Sequence, residues 1–249
     1  MNDFQKELTY LEKYLKETGN NQEIDYDKVL CELKAGKPIQ YIIGNVNFYG
    51  NTIEVNESVL IPRFETELLV EKTITKIKKY FPNQKVSIID LGTGSGCIAI
   101  SLKKNLDATV DALDISKDAL ELAKINAQKN NTEINFINDD MTTYQGKKYD
   151  IIISNPPYIR FDEPIMDIVK NNEPQVALYA KEDGLYYYRK ILENITNITN
   201  DKFLICFEIG LNQSTTIVDI AKKHLDNVLI TVEKDYSDKE RFIFITNIK

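Results

Sequence analysis

The chain has 249 residues, 43% of them hydrophobic and 28% charged, and carries a formal net charge of −7. That composition suits a soluble globular domain with a real core, alone or with a small accessory piece, and its acidic balance argues against a protein held to nucleic acid through phosphates. Three scattered cysteines (Cys31, Cys97, Cys206) and the single histidine His224 argue against a disulfide framework, a histidine-built metal site and a Ser-His or Cys-His nucleophile pair.

The segment Met1–Tyr10 is charged and lacks a long apolar run, so no signal peptide is expected; no stretch approaches membrane-spanning length, and a cytoplasmic location is expected. Phe4, Leu8, Leu11 and Leu15 recur at helical spacing and predict a helix over Asp3–Glu17, with Gly19 as its stop signal. Asp25 can cap a second helix that turns Val29, Leu30 and Leu33 inward and ends before Gly36 and Pro38. Two short helices bury little alone, so they predict a small lobe packed on something larger. Alternation over Val46–Tyr49 and Thr52–Val55 around Gly50-Asn51 predicts a β-hairpin. A helix is expected over Glu65–Tyr80, closed by Pro82.

From Val86 the pattern alternates. Strands are predicted at Val86–Leu91, Thr109–Leu113, Ile134–Ile137, Tyr149–Ser154, Phe203–Glu208, Val228–Val232 and Arg241–Thr246. Helices are predicted at Gly96–Lys104, Lys117–Lys129, Leu185–Ile198 and Gln213–His224. This alternation predicts an α/β fold, a mostly parallel sheet with helices on both faces. The last strand follows another strand with no room for a helix, so it should run antiparallel.

The first of these strands ends in Asp90-Leu91-Gly92-Thr93-Gly94-Ser95-Gly96. A glycine-rich turn between strand and helix lets backbone approach a ligand and aims helix N–H groups at it. Asp114 ends the next strand, where a carboxylate can accept both hydroxyls of a ribose. The loop also fits a relaxed dinucleotide fingerprint, with Asp114 about twenty residues on; glycines at alternate positions after an acid favour S-adenosylmethionine over a nicotinamide. After the third strand, Met141 can pack on an adenine ring and Asp140 can accept from its exocyclic amine, while Asp139 fits a solvated loop acid as readily as a part of the site.

Strand Tyr149–Ser154 runs into Asn155-Pro156-Pro157-Tyr158. An amide or aromatic NH2 is a poor nucleophile because its lone pair is delocalised. A site that accepts both N–H bonds fixes the nitrogen and favours pyramidal geometry, with the lone pair aimed at an activated methyl group. The Asn155 side-chain carbonyl and the Pro156 backbone carbonyl can be those acceptors. The two prolines hold the backbone in place, and Tyr158 offers a face for stacking. The turn therefore predicts methyl transfer to a planar NH2 without naming the substrate: adenine, guanine and glutamine all present one.

The chain resembles the HemK-type glutamine methyltransferases of peptide chain release factors. The resemblance is carried by Pro38–Gly44, Val59–Glu67 with its Ile61-Pro62-Arg63, Asp90–Gly96, Asp114, Asn155–Tyr158, Glu173–Leu178, Glu208-Ile209-Gly210, Asp235 and Arg241. It implies a seven-stranded Rossmann-like methyltransferase sheet with a small N-terminal helical domain. It also implies transfer from S-adenosylmethionine, without a metal, to the glutamine of a Gly-Gly-Gln tip. The expected division is a helical substrate-recognition domain over residues 1–44, a hairpin linker over 45–62 and the methyltransferase domain over 63–249. Expected cofactor-binding residues are Gly92, Thr93, Gly94, Ser95, Gly96, Asp114, Asp140, Met141 and Asn155. Expected catalytic and substrate-binding residues are Asn155, Pro156, Pro157 and Tyr158, joined in substrate binding by Arg63 and Glu65, although these last two can equally be a simple ion pair. Phe64 stands where the family usually has proline. The expected partner is a release factor, with no nucleic acid or membrane, and the chain is expected to be a monomer. The rival readings are an aminomethyltransferase acting on adenine or guanine in nucleic acid, a nicotinamide oxidoreductase that leaves Asn155–Tyr158 without purpose, and a non-catalytic binding module.

Overall fold

The computed structural model describes residues 4–18 and 25–248. Asp3, the predicted start of the first helix, and Gly19, its predicted stop signal, lie outside them. The lobe consists of α1 (Gln5–Thr18), α2 (Tyr26–Lys34) and α3 (Ile39–Ile43). Asp25 caps α2 by accepting from the Lys28 amide, as its side chain allows. Leu11, Val29, Leu33 and Ile39 form a small apolar cluster of their own; Leu30 is only partly buried. The lobe is tied to the rest by polar contacts. Tyr14 donates to the Asn45 side chain, Tyr41 Oη to the Val59 carbonyl at 2.6 Å, and Asn172 Nδ2 to the Gly36 carbonyl at 2.8 Å.

The hairpin pairs β1 (Asn45–Phe48) with β2 (Asn51–Glu54), Phe48 opposite Asn51. Its turn is therefore Tyr49-Gly50, one residue earlier than predicted. Both have positive φ, 49° and 74°, as a tight two-residue hairpin turn requires. Asn51 is drawn out of the turn because its side chain is buried and donates to Ser101 Oγ at 3.1 Å.

Helix α4 (Phe64–Tyr80) leads into the sheet. The strands and main helices are β3 (Val86–Leu91), α5 (Cys97–Asn105), β4 (Ala108–Asp114), α6 (Lys117–Lys129), β5 (Asn135–Asn138) and β6 (Tyr149–Ser154). An insertion holds three short helical turns, α7 (Asp167–Asn172), α8 (Gln175–Leu178) and α9 (Lys181–Gly184). Then come α10 (Tyr186–Ile198), β7 (Thr199–Glu208), α11 (Ser214–His224), β8 (Leu229–Lys234) and β9 (Glu240–Thr246). The seven strands lie in the order β5-β4-β3-β6-β7-β9-β8. All pairings among β3 to β7 are parallel, and β9 runs antiparallel to both neighbours, as expected for a strand reached without a crossover.

The sheet is covered on both faces, so its central strands are apolar throughout and alternate between two cores. Ile88, Ile151, Ile153, Leu204, Cys206 and Phe244 face the side of the hairpin, α4, α5 and α6. Ile89, Ile152, Ile205, Phe207, Ile243 and Ile245 face α10 and α11. The chain leaves β3 toward β4 and β5, then returns to add β6 on the other side. The crevice between the carboxyl ends of β3 and β6 is thus the switch point of the sheet, where ligands bind in open α/β folds.

Candidate active site

A cavity of about 270 Å3 opens at that switch point. Its floor is the loop from β3 to α5. Gly92 and Gly94 have φ of 76° and 54°, a left-handed backbone that disfavours side chains. A Cβ at Gly92 would fall 2.6 Å from Met141 Cε, whereas one at Gly94 would meet nothing within 4 Å. Backbone at Gly94 therefore borders open space. Thr93 and Ser95 also line the cavity; Gly96 does not, being packed toward Ala123 on α6.

Asp114 closes one side. Its Oδ2 accepts from the Gly94 amide at 2.8 Å and its Oδ1 from the Ser116 amide at 2.9 Å. Burial raises its carboxyl above the usual range, opposed by those N–H groups. The Ile115 amide adds to them, and the carboxylate still has acceptor capacity for a further donor. Asp140 Oδ1 is taken by Thr142, through its amide at 2.8 Å and its hydroxyl at 2.7 Å; Met141 lies beside it, 9% exposed. Asp139, by contrast, is exposed and does not line the cavity. Beneath the loop, Asp90 accepts from Thr93 Oγ1 at 2.6 Å, and complete burial pushes its carboxyl up to about 7.

The opposite wall begins at Asn155, directly after β6. Asn155 and Pro157 line the cavity. Pro156 is buried outside the lining, and Tyr158 turns away from it. The Tyr158 carbonyl accepts from Gln213 Nε2 at 3.1 Å, its ring packs with the α10–α11 core near Gly210, and burial raises its phenol. In this geometry Tyr158 buttresses the turn rather than offering a face to the cavity.

Arg63 lines the cavity and pairs with Glu173, not with Glu65: Nη2 to Oε1 is 2.6 Å. Residues two apart on a helix do not face each other, and Glu65 stays outside the lining. Glu173 is buried, its side chain 1% exposed, and its second oxygen accepts from the Ile61 amide at 3.1 Å. One carboxylate thus clamps the Ile61-Pro62-Arg63 segment to the insertion. Two further residues had no role assigned from sequence. Thr66, in the first turn of α4, lines the cavity; its Oγ1 accepts from Asn155 Nδ2 at 3.1 Å and donates to Glu208 Oε2 at 2.8 Å. Glu208, the last residue of β7, is 2% exposed, and burial pushes its carboxyl up to about 7 against the opposing effects of Thr66, Arg241 and the Asn155 side chain. Glu173 and Glu208 stood inside segments that carry the resemblance, a signal of importance but not of geometry. Val176 and Ala177 from the insertion and Tyr186 and Tyr187 from α10 complete the cavity. Among the described residues no cluster of three or more metal-ligating side chains occurs, and no helix is long and apolar enough to cross a membrane.

A seven-stranded sheet with one antiparallel strand, a glycine loop after β3 and an Asn-Pro-Pro turn after β6 on the same cavity define a Rossmann-like methyltransferase. Solved structures agree on the fold: a methyltransferase from Pyrococcus furiosus superposes with a TM-score of 0.58 at 16% identity, covering 80% of this chain and 90% of that one. Residues 65–173 match the family model described as methyltransferase small domain. The release factor glutamine methyltransferase of Streptococcus pneumoniae (strain ATCC BAA-255 / R6) is 44% identical over 88% of this chain and 78% of its own length. That of Bacillus subtilis (strain 168) is 41% identical over 84% of this chain and 75% of its own length. The chain belongs to the release factor glutamine methyltransferase family.

Proposed function

We propose that this protein transfers a methyl group from S-adenosylmethionine to the side-chain amide nitrogen of the glutamine in the Gly-Gly-Gln motif of a peptide chain release factor. The carrying observation is that Asn155 and the glycine loop line one cavity at the switch point of the sheet. The residues present fit the cofactor. Space opens at Gly94, Asp114 keeps acceptor capacity beyond its backbone partners, and Asp140 Oδ2 is left open beside Met141. When bound, S-adenosylmethionine supplies an electrophilic methyl group on sulfur.

Asp114 would hold the ribose hydroxyls, Asp140 and Met141 the adenine, and residues 92–95 the side facing the glycine loop. Asn155 Oδ1, on the cavity wall, accepts one N–H bond of the glutamine amide; the Pro156 carbonyl, outside the lining in this structure, is the second acceptor only if the seated amide reaches past Asn155 to it. The transfer would exchange the S–CH3 bond of bound S-adenosylmethionine for the new N–CH3 bond and leave S-adenosylhomocysteine. The cationic nitrogen is strongly acidic and gives one proton to solvent, so no general base is required. Arg63, clamped by Glu173, shapes the entrance for the substrate backbone. The helical lobe, residues 1–44, contributes remote contacts to a folded release factor.

The nucleic-acid reading is not favoured, since curated relatives carry the glutamine methyltransferase name and the net charge is −7. Incubation with labelled S-adenosylmethionine and a purified release factor, followed by peptide mapping, tests the proposal. Label on the Gly-Gly-Gln glutamine is expected; label on RNA or DNA with none on protein would overturn it.

A further inference from the structure

The side chains of Asn155, Thr66 and Glu208 come from three separate elements and meet in a row. Asn155 Nδ2 donates to Thr66 Oγ1 at 3.1 Å, and Thr66 Oγ1 donates to Glu208 Oε2 at 2.8 Å. Thr66 is 3% exposed and Glu208 2%, so neither exchanges its partner for bulk water. Glu208 is itself held in place: its backbone carbonyl accepts from Tyr188 Oη at 2.7 Å.

The direction of this row follows from the inventory of protons. With Glu208 ionised, its carboxylate accepts only, and a hydroxyl has one proton to give. With that proton committed to Glu208, the Thr66 oxygen can offer Asn155 only a lone pair. Asn155 must then present its NH2 to Thr66, which turns Oδ1 away, and no described residue donates to that oxygen. An amide rotated by half a turn would set its carbonyl against a lone pair and show NH2 to the cavity, where the substrate also offers N–H bonds. A side-chain amide has no intrinsic preference between these orientations; its neighbours decide.

We propose that Thr66, anchored by Glu208, is a positioning residue that locks the Asn155 amide with its carbonyl oxygen toward the substrate nitrogen. This rests on the reading of Asn155 as an acceptor and deepens it. The lock is set before substrate arrives, so the acceptor needs no reorganisation during methyl transfer.

The test compares Thr66→Val, nearly isosteric but without the hydroxyl, with Thr66→Ser, which keeps it. Single-turnover methylation of a release factor is measured with cofactor and protein substrate saturating, and cofactor affinity by calorimetry. Thr66→Val is expected to lower the rate roughly ten- to a hundredfold while cofactor affinity stays within about twofold; Thr66→Ser should recover the rate to within about threefold of wild type. Added to Asn155→Ala, Thr66→Val should cost less than about twofold more, because its effect passes through Asn155. If Thr66→Val does not fold, Thr66→Cys, with a weakly hydrogen-bonding thiol of similar size, takes its place with the same expectations. A wild-type rate in Thr66→Val, or a full additional loss in the Asn155→Ala background, overturns the lock alone. An Asn155→Ala enzyme within about tenfold of wild type overturns the acceptor reading and the lock with it.

Discussion

The two ends of the cavity are built in different ways. The cofactor end is made of short-range contacts: Thr93 to Asp90, Ser116 to Asp114 and Thr142 to Asp140 are two or three residues apart, and Gly94 to Asp114 spans twenty. Each piece is a loop whose residues satisfy one another, and the parallel sheet needs only to bring three strand ends together. The acceptor end is made of long-range contacts. Asn155 and Thr66 are 89 residues apart, Thr66 and Glu208 142, and Arg63 and Glu173 110. Here α4, β7 and the insertion must all dock before the site exists. On the proposed reading, the binding of a common cofactor falls to local motifs, and the orientation of a particular substrate to the packed fold.

That contrast can be broken most directly at Asn155. Asn155→Ala should lower the single-turnover rate about a hundred- to a thousandfold, some 3–4 kcal/mol, with little change in cofactor affinity. Asn155→Asp, which keeps an acceptor oxygen, should be impaired less. An Asn155→Ala enzyme that loses cofactor binding as much as rate would show that the two ends are not separate.

Next in size is the clamp. Arg63→Ala leaves the Glu173 carboxylate buried with only the Ile61 amide as partner. Urea denaturation should show a loss of about 2–3 kcal/mol, below the cost of breaking a fully buried pair because Arg63 is itself partly exposed. Glu173→Gln, which removes the charge, should be milder. Equal stability of Arg63→Ala and wild type would mean that the insertion does not depend on this pair.

The cofactor end answers to Asp114→Ala, for which affinity for S-adenosylmethionine should fall roughly ten- to a hundredfold by calorimetry. Rate at saturating cofactor should change far less. An unchanged dissociation constant, or tight binding of a nicotinamide dinucleotide, would remove Asp114 from the cofactor site.

The smallest effect expected is a pH dependence of stability. Glu208 has its carboxyl pushed up to about 7 by burial, from an ordinary value of 4.5; Thr66, Asn155 and Arg241 oppose the rise, Glu65 adds to it, and Tyr158 and Tyr188 also face the group. A raised folded-state pKa favours the folded protein at low pH, and that contribution is lost as pH rises through about 7. Relative to Glu208→Gln, the wild type without cofactor should therefore lose stability between pH 5 and 8, on the order of 2 kcal/mol. A difference between the two that does not vary with pH would mean that Glu208 stays ionised throughout.

Much of this molecule was legible before any coordinates. The apolar runs of β3 and β6 and the amphipathic spacing in α4, α6 and α10 are strong periodic signals, and their elements lie within a residue or so of the predicted bounds. The antiparallel last strand followed from the lack of room for a crossover. The helices of the insertion and α3 went unread because they span only four to six residues, too few to display a period. The hairpin turn was misplaced by one residue because Gly50-Asn51 has good turn chemistry, but burial of Asn51 against Ser101 outweighs it.

The sequence by itself determined the order of the strands and the longer helices along the chain, the glycine loop with its strand-end acids, and the Asn-Pro-Pro turn. All of these are short patterns in which chemistry and spacing sit side by side. Only the tertiary structure decided that Arg63 answers to Glu173 rather than Glu65, that Tyr158 faces the core, and that Thr66 and Glu208 stand behind Asn155. Those partners are far apart in the chain, and nothing in local propensity says which buried carboxylate will meet which donor. Docking of α4 and the insertion against the strand ends makes that choice, because a charge shut away from water must find a partner among the groups that packing brings to it.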